Sequence, residues 1–101
     1  MRTLVIFENP PEPFNSMVKK GTAGPTLKKI VEAIKPEAVY FYAPNGKRGG
    51  MMIVDLPDPS HIPRIAEHFF LAFEARVEFH PCMTPEDLEK AGLDEFGKMY
   101  G

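Results

Sequence analysis

The sequence predicts an α+β fold in which a four-stranded antiparallel sheet carries two helices on one face. Three observations support this: four short segments rich in β-branched and aromatic residues, two segments with apolar residues at helical spacing, and their order along the chain. A length of 101 residues suits one domain with a modest core. Residues 1–101 are therefore expected to form a single domain.

The first half of the chain begins with a strand and continues with an interrupted helical segment. The strand, TLVIF at 3–7, ends at the proline-rich NPPEP segment. One or two helical turns around 14–18 are followed by GTAGP, which breaks the pattern. A helix at 26–34 is then expected, with Pro25 at its first position and Pro36 ending it. Its apolar stripe consists of Leu27, Ile30, Val31 and Ile34.

A hairpin follows this helix. The segments AVYFYA at 38–43 and MMIVDL at 51–56 have the composition of strands. PNGKRGG lies between them, and its Asn45 and Gly46 form a dipeptide typical of tight hairpin turns. The two segments are therefore predicted to pair with each other.

The clearest helical pattern covers about residues 60–74, with Asp58 or Ser60 as its cap. Its apolar positions recur at three- and four-residue spacing. They are Ile62, Ile65, Ala66, Phe69, Phe70 and Phe73. One face of this helix is therefore expected to pack on the sheet.

The last strand is ARVEFHPCM at 75–83, and a short helix is expected after it. Thr84 and Asp87 resemble a capping box, and Gly92 should end that helix after Ala91. The final segment, DEFGKMYG, is expected to add a turn or to fray. The element order β-α-β-β-α-β, with a terminal helix, is that of the ferredoxin-like split βαβ unit.

Composition and charge exclude several classes of partner. The net charge is −2, and the lysines and arginines are scattered, which argues against a nucleic-acid partner. No apolar run is long enough for a membrane helix, so no membrane partner is expected. A single cysteine, Cys82, excludes an intramolecular disulfide and suits a reducing compartment. These features predict a cytoplasmic location.

The strands suggest that the chain associates with itself. Two helices cover only one face of a four-stranded sheet, and an uncovered face should alternate between apolar and polar residues. Three of the predicted strands are instead apolar at the positions that face either side of the sheet. They contain the segments LVIF, VYFY and MMIV. A second copy of the chain, packed with twofold symmetry, would cover such a face, so a homodimer is predicted.

The second half of the chain resembles a known superfamily. The residues that carry the resemblance are Gly49-Gly50, the strand MMIVDLPDPS, the helix at about 60–74 and VEFHPCMTPED. The order of the elements is similar to that of the dimeric α+β barrel superfamily, and over about residues 38–91 the pattern also resembles small GYD-type domains and related bacterial families. The resemblance implies two sheets packed into one barrel. Relatives include cofactor-free monooxygenases, lactone isomerases, haem-handling proteins and ligand-sensing modules.

The alternation within the fourth strand indicates a candidate site. If Val77 and Phe79 face the helices, the polar residues between them face the other side of the sheet. The proposed catalytic residues are His80, Glu78, Tyr40 and Tyr42. The proposed ligand-binding residues are Arg76, Glu8 and Met52. In this hypothesis a histidine is the acid or base, a carboxylate orients it, and a tyrosine donates to a developing oxyanion.

A structural interpretation of the same residues stays open. Arg76 and Glu78 also fit an ion pair on a solvated rim. His61 and His68 lie two helical turns apart, about 10 Å, which is too far for one metal ion. No metal or cofactor is expected, although the resemblance also admits haem ligation by His68 or His80.

Two functions therefore remain at the level of sequence. The first is a cofactor-independent enzyme of the oxygenase or isomerase type, acting on a small apolar or aromatic molecule. The alternative is a ligand-sensing or protein-interaction module without turnover. The fold cannot choose between them, because one architecture hosts many activities.

Overall fold

The computed structural model of the protein describes all residues from 1 to 101 and shows an α+β fold with five helices. In chain order the elements are β1 (Arg2–Glu8), α1 (Pro11–Lys20), α2 (Ala23–Ile34), β2 (Ala38–Tyr42), a 3₁₀ turn (Pro44–Gly46), β3 (Gly49–Asp55), α3 (His61–Phe73), β4 (Arg76–Pro81), α4 (Pro85–Lys90) and α5 (Leu93–Tyr100). The strands form one sheet in the order β2-β3-β1-β4, and all neighbours are antiparallel. The predicted α+β class and four-stranded antiparallel sheet are confirmed. The order of the strands is compatible with a ferredoxin-like arrangement.

The core lies between one face of the sheet and helices α1, α2 and α3. Along β1 the side chains of Thr3, Val5 and Phe7 are buried, and those between them are more exposed, as the alternation of a strand requires. Phe69 of α3 stacks on Phe7 with ring centroids 4.4 Å apart. The central strand and the longest helix thus form the middle of the core.

The first helical region differs from its prediction. It contains two helices, because α1 spans ten residues and Gly21 ends it in a left-handed conformation with φ of 77°. Helix α2 begins at Ala23, so Pro25 lies inside its first turn and not at its first position. A proline is tolerated there because the N–H groups of a first turn have no partner within the helix.

The hairpin is tighter than predicted, and two glycines explain why. Strand β3 begins at Gly49, two residues before the predicted start. A Cβ atom on Gly49 would lie 2.1 Å from the carbonyl oxygen of Phe7, and one on Gly50 would lie 2.5 Å from that of Tyr40. The neighbouring strands approach β3 so closely there that only glycine fits. Asn45 and Gly46 form the tip, both with positive φ.

Helix α3 packs through a narrower stripe than its sequence suggests. Ile65, Ala66, Phe69 and Phe73 are buried. Ile62 and Phe70 lie at the margin of the stripe and stay partly exposed. The helix begins after Ser60, whose backbone N–H and hydroxyl donate to the carboxylate of Asp58.

The last two helices extend away from the rest of the chain. Neither α4 nor α5 packs substantially against the sheet or against α1–α3, and no residue of either helix is buried. The chain measures 60 × 28 × 19 Å, and its radius of gyration is 17.2 Å. A compact domain of this length would have a radius of gyration of about 13 Å.

We call residues 84–101 the arm. Its exposed apolar side chains are Leu88, Leu93, Phe96, Met99 and Tyr100.

The arm begins with the predicted capping box, which is confirmed. The hydroxyl of Thr84 accepts from the backbone N–H of Asp87 at 3.1 Å, and the Asp87 carboxylate accepts from that of Thr84 at 3.0 Å. Gly92 is left-handed, as expected for a helix end, but it is followed by a helix of eight residues and not by a frayed end. None of the five helices combines the length and the apolar character that crossing a membrane requires.

The capping box predicts a pH dependence of the arm. The hydrogen bonds from Thr84 hold the pKa of Asp87 below its usual value of 3.8. Because the pKa of Asp87 is lower in the folded state than in the unfolded state, the ionised carboxylate stabilises the helix at pH values above the unfolded pKa. This stabilisation is lost as the pH falls through the folded pKa. We therefore expect the amide signals of α4 to lose their helical shifts below about pH 3.8. An NMR titration measures this, and Asp87→Ala should remove the transition. An identical titration in that variant would contradict the assignment to Asp87.

Candidate functional site

One face of the sheet is not covered by any helix of the chain, and we call it the open face. The strand register places its side chains in three rows that run across the sheet from β2 to β4. The rows are Tyr42, Gly49, Glu8 and Arg76; Tyr40, Met51, Ile6 and Glu78; and Ala38, Ile53, Leu4 and His80. The open face therefore has an aromatic edge on β2, an apolar floor on β3 and β1, and an ionic edge on β4.

The apolar floor occupies the two central strands. Its four side chains are Leu4, Ile6, Met51 and Ile53, and each is half-buried in the single chain. The 3₁₀ turn (Pro44–Gly46) lies over the Glu8 end of this face, beside Ile6, and no helix covers the floor. Contiguous apolar surface of this kind typically marks a site of association or ligand binding.

The ionic edge is a connected set of charged side chains. A guanidinium nitrogen of Arg76 lies 2.9 Å from a carboxylate oxygen of Glu78, and another lies 3.8 Å from Glu8. The Nε2 atom of His80 lies 3.4 Å from the other oxygen of Glu78. Only 11% of the Glu8 side chain is exposed, against 52% of that of His80. The inner end of this edge is thus shielded and its outer end reaches solvent.

The geometry of this edge suits acid–base chemistry. Residues two apart on a strand have Cα atoms about 7 Å apart, so Glu78 and His80 meet only because their side chains lean together. A carboxylate next to one ring nitrogen of a histidine orients the imidazole and stabilises its protonated form. Glu78 lies beside one ring nitrogen of His80, and Arg76 pairs with the same carboxylate.

The tyrosines lie at the opposite edge. Tyr40 and Tyr42 belong to β2 and are exposed, on the same face as His80. Three strand spacings separate β2 from β4, which amounts to about 14 Å. A single chain therefore does not bring the proposed tyrosine donors to the proposed histidine base.

The prediction that Met52 binds a ligand on this face needs correction. Met52 pairs with Val5 and Val39 and is buried in the core beneath the helices. Its neighbour Met51 occupies the open face. The reason is the register of the hairpin, in which Gly50 lies against the Phe7 ring on the helix side. Alternation counted from Gly50 places Met51 and the apolar floor on the open face, and this is the signal in the sequence that identifies them.

The other candidate side chains do not form a metal site. His61 and His68 lie on α3, on the helix side of the sheet, and His61 is 3.5 Å from Asp58. No group of three or more histidine, cysteine or acidic side chains in the chain is arranged to hold a metal ion. Cys82 follows β4, half-buried, with its thiol 3.7 Å from the carbonyl oxygen of His80.

No protein-family model matches the chain, and a search of the curated proteins gives no match either. Function is therefore argued from the open face itself.

Proposed function

We propose that the protein is a homodimer, packed open face to open face as in the dimeric α+β barrels, that acts on a small aromatic or conjugated molecule without a cofactor. The observation that carries this proposal is the layout of the open face. An apolar floor wide enough for a flat ligand lies between tyrosine side chains on one edge and a histidine–carboxylate pair on the other.

Association is supported by two surfaces that a single chain leaves without partners. The open face exposes half-buried apolar side chains on both central strands. The arm projects apolar side chains that touch nothing substantial in their own chain. Burying both against a second copy would remove apolar surface from water, which is the main driving force of association.

A twofold axis parallel to the strands would also complete the site. Rotation about such an axis turns one sheet over and places its β2 edge opposite the β4 edge of the other. Packed sheets lie about 10 Å apart, so tyrosine and histidine side chains can approach across the gap. Tyr40 of one subunit would then face the partner's Glu78 and the partner's His80. Each dimer would hold two such sites.

The chemistry that this arrangement supports is proton transfer next to a carbonyl group. His80 removes a proton from the carbon adjacent to the carbonyl, and the electron pair moves to the oxygen as an enolate. A phenol of Tyr40 or Tyr42 donates a hydrogen bond to that oxygen. Return of the proton to a different carbon completes an isomerisation, and reaction of the same carbanion with dioxygen would begin an oxygenation. Glu78 orients His80 and pairs with its protonated ring.

The first test combines a binding screen with one histidine variant. A panel of aromatic hydroxyketones, quinols and unsaturated lactones is screened by thermal shift, and each hit is incubated with the protein and analysed by mass spectrometry. We expect His80→Ala to lower turnover of a hit by about 10²–10⁴-fold, the usual effect of a lost acid–base group. The matched control is His61→Ala, which changes a histidine on the helix side and should keep full activity. Equal activity of His80→Ala and the wild type would contradict the proposal.

A mixing experiment tests whether the site is shared between subunits. His80→Ala and the double variant Tyr40→Phe/Tyr42→Phe should each be nearly inactive alone. In a random mixture, half of the dimers carry one subunit of each kind, and each of these has one intact site. The mixture should therefore recover about a quarter of the wild-type activity, by the statistics of twofold assembly. No recovery would exclude a shared site.

A non-catalytic ligand-sensing module is the second candidate. It is favoured by the ionic edge itself, where Arg76, Glu78 and Glu8 already pair with one another. Structural ion pairs of this kind need no catalytic role. A sensor would bind a hit of the screen without forming product, and His80→Ala would change its affinity alone.

A further inference from the structure

The helix side of the sheet contains a cleft that the proposed function does not use. It lies where the end of β2 and the start of β3 meet helices α1 and α2, and its volume is about 450 Å³. Its principal lining residues are Phe7, Asn9, Phe14, Leu27, Phe41 and Arg48. The cleft is open to solvent and mostly apolar.

An exposed aromatic ring forms one wall of the cleft. Phe41 follows Tyr40 on β2 and therefore points to the helix side, where a phenylalanine would normally be buried. In this structure 57% of its surface is exposed. It meets Phe7 edge to face, with ring centroids 6.2 Å apart and planes at 79°. The face of the Phe41 ring is thus available to a flat molecule.

A cation without a carboxylate partner lies at the mouth. The guanidinium carbon of Arg48 is 5.1 Å from the centroid of the Phe14 ring, and one nitrogen donates to the side-chain oxygen of Asn15. None of the ion pairs in the chain involves Arg48. The guanidinium is therefore held in place by two neutral groups, with the carboxylate of Glu12 nearby but not paired with it, and its N–H groups can still bind an anion.

A buried amide supplies the third observation. Asn9 is only 3% exposed, and its side-chain oxygen has no hydrogen-bond partner. Its backbone N–H donates to the carbonyl oxygen of Arg48 at 2.7 Å, which fixes it beside the cation. Buried polar side chains almost always have partners, and a small shift of the cleft wall would bring this nearly inaccessible oxygen within reach of a donor on a ligand.

We propose that this cleft binds an aromatic carboxylate. The ring would lie on Phe41 and Leu27, the carboxylate would pair with Arg48, and a hydroxyl next to the carboxylate would donate to Asn9. This site is separate from the proposed function, because the ring and carboxylate contacts lie on the helix side of the sheet, although Tyr42 at the end of β2 also borders the cleft.

Titration with 2-naphthoate, followed by NMR and calorimetry, tests the proposal. We expect 2-naphthoate to bind the wild type at least tenfold more tightly than the neutral 2-naphthamide. Arg48→Gln should abolish this preference, and Lys47→Gln, which removes the adjacent positive charge, should keep it. Both side chains are exposed, so both variants should fold. No binding of 2-naphthoate at millimolar concentration, or an equal loss in both variants, would overturn the proposal.

Two further comparisons locate the ligand. Phe41→Ala should weaken 2-naphthoate binding at least fivefold, and Tyr40→Ala, on the other face of the same strand, should leave it unchanged. If Tyr40→Ala is the damaging variant, the ligand lies on the open face and the proposal fails.

An added hydroxyl, as in 3-hydroxy-2-naphthoate, should increase the affinity of the wild type, and Asn9→Leu should remove that increase. A gain that persists in Asn9→Leu would overturn the role of Asn9.

Discussion

Replacing Phe69 by alanine is expected to lower the free energy of unfolding by about 3–5 kcal/mol, the usual cost of removing a large aromatic side chain from a core. Phe69 is 1% exposed and stacks on Phe7 of the central strand. Its removal leaves a cavity at the junction of the sheet and α3 that neighbouring side chains cannot fill. Unfolding in urea, followed by circular dichroism, measures the change.

Phe70 is the matched control for this variant. It is the next residue on the same helix but is 41% exposed at the margin of the packed stripe. Phe70→Ala should therefore cost clearly less than Phe69→Ala. Equal losses for the two variants would show that α3 is not oriented as described.

Replacing Met51 by aspartate is expected to dissociate the proposed homodimer. Met51 lies in the middle of the apolar floor, between Tyr40 and Ile6. A carboxylate there would lose its hydration on association without gaining a partner, which typically costs several kcal/mol. The dimer dissociation constant should rise at least about a hundredfold. Sedimentation equilibrium over micromolar concentrations measures it.

Leu71→Asp provides the control for dissociation. Leu71 is an exposed apolar residue on the helix side, so its replacement adds the same charge away from the open face. We expect this variant to dimerise as the wild type does. A wild type that stays monomeric at micromolar concentrations, or a Met51→Asp variant that dimerises normally, would remove the basis for a site shared between subunits.

Much of the fold could be predicted because helix and strand patterns are local. The stripe of α3, the alternation of β4 and the capping box at Thr84 depend on residues a few positions apart. The errors occurred where long-range contacts decide. Strand β3 begins at Gly49 because Phe7 of the neighbouring strand approaches it closely.

The candidate site was predictable in part. Alternation alone placed Arg76, Glu78 and His80 on one face and Val77 and Phe79 on the other, and the strand register agrees. Alternation says nothing about which strands are neighbours.

The sequence by itself therefore determined the types of the elements and the two faces of each strand, because a two-residue period leaves no other choice once one side chain is buried. Only the tertiary structure decided the lateral order β2-β3-β1-β4, which separates the tyrosines from the histidine, and the register of the hairpin, which places Met52 in the core and Met51 on the open face. Strand order and the direction of the arm depend on contacts between residues far apart in the chain. Such contacts leave no periodic signal in the amino-acid sequence.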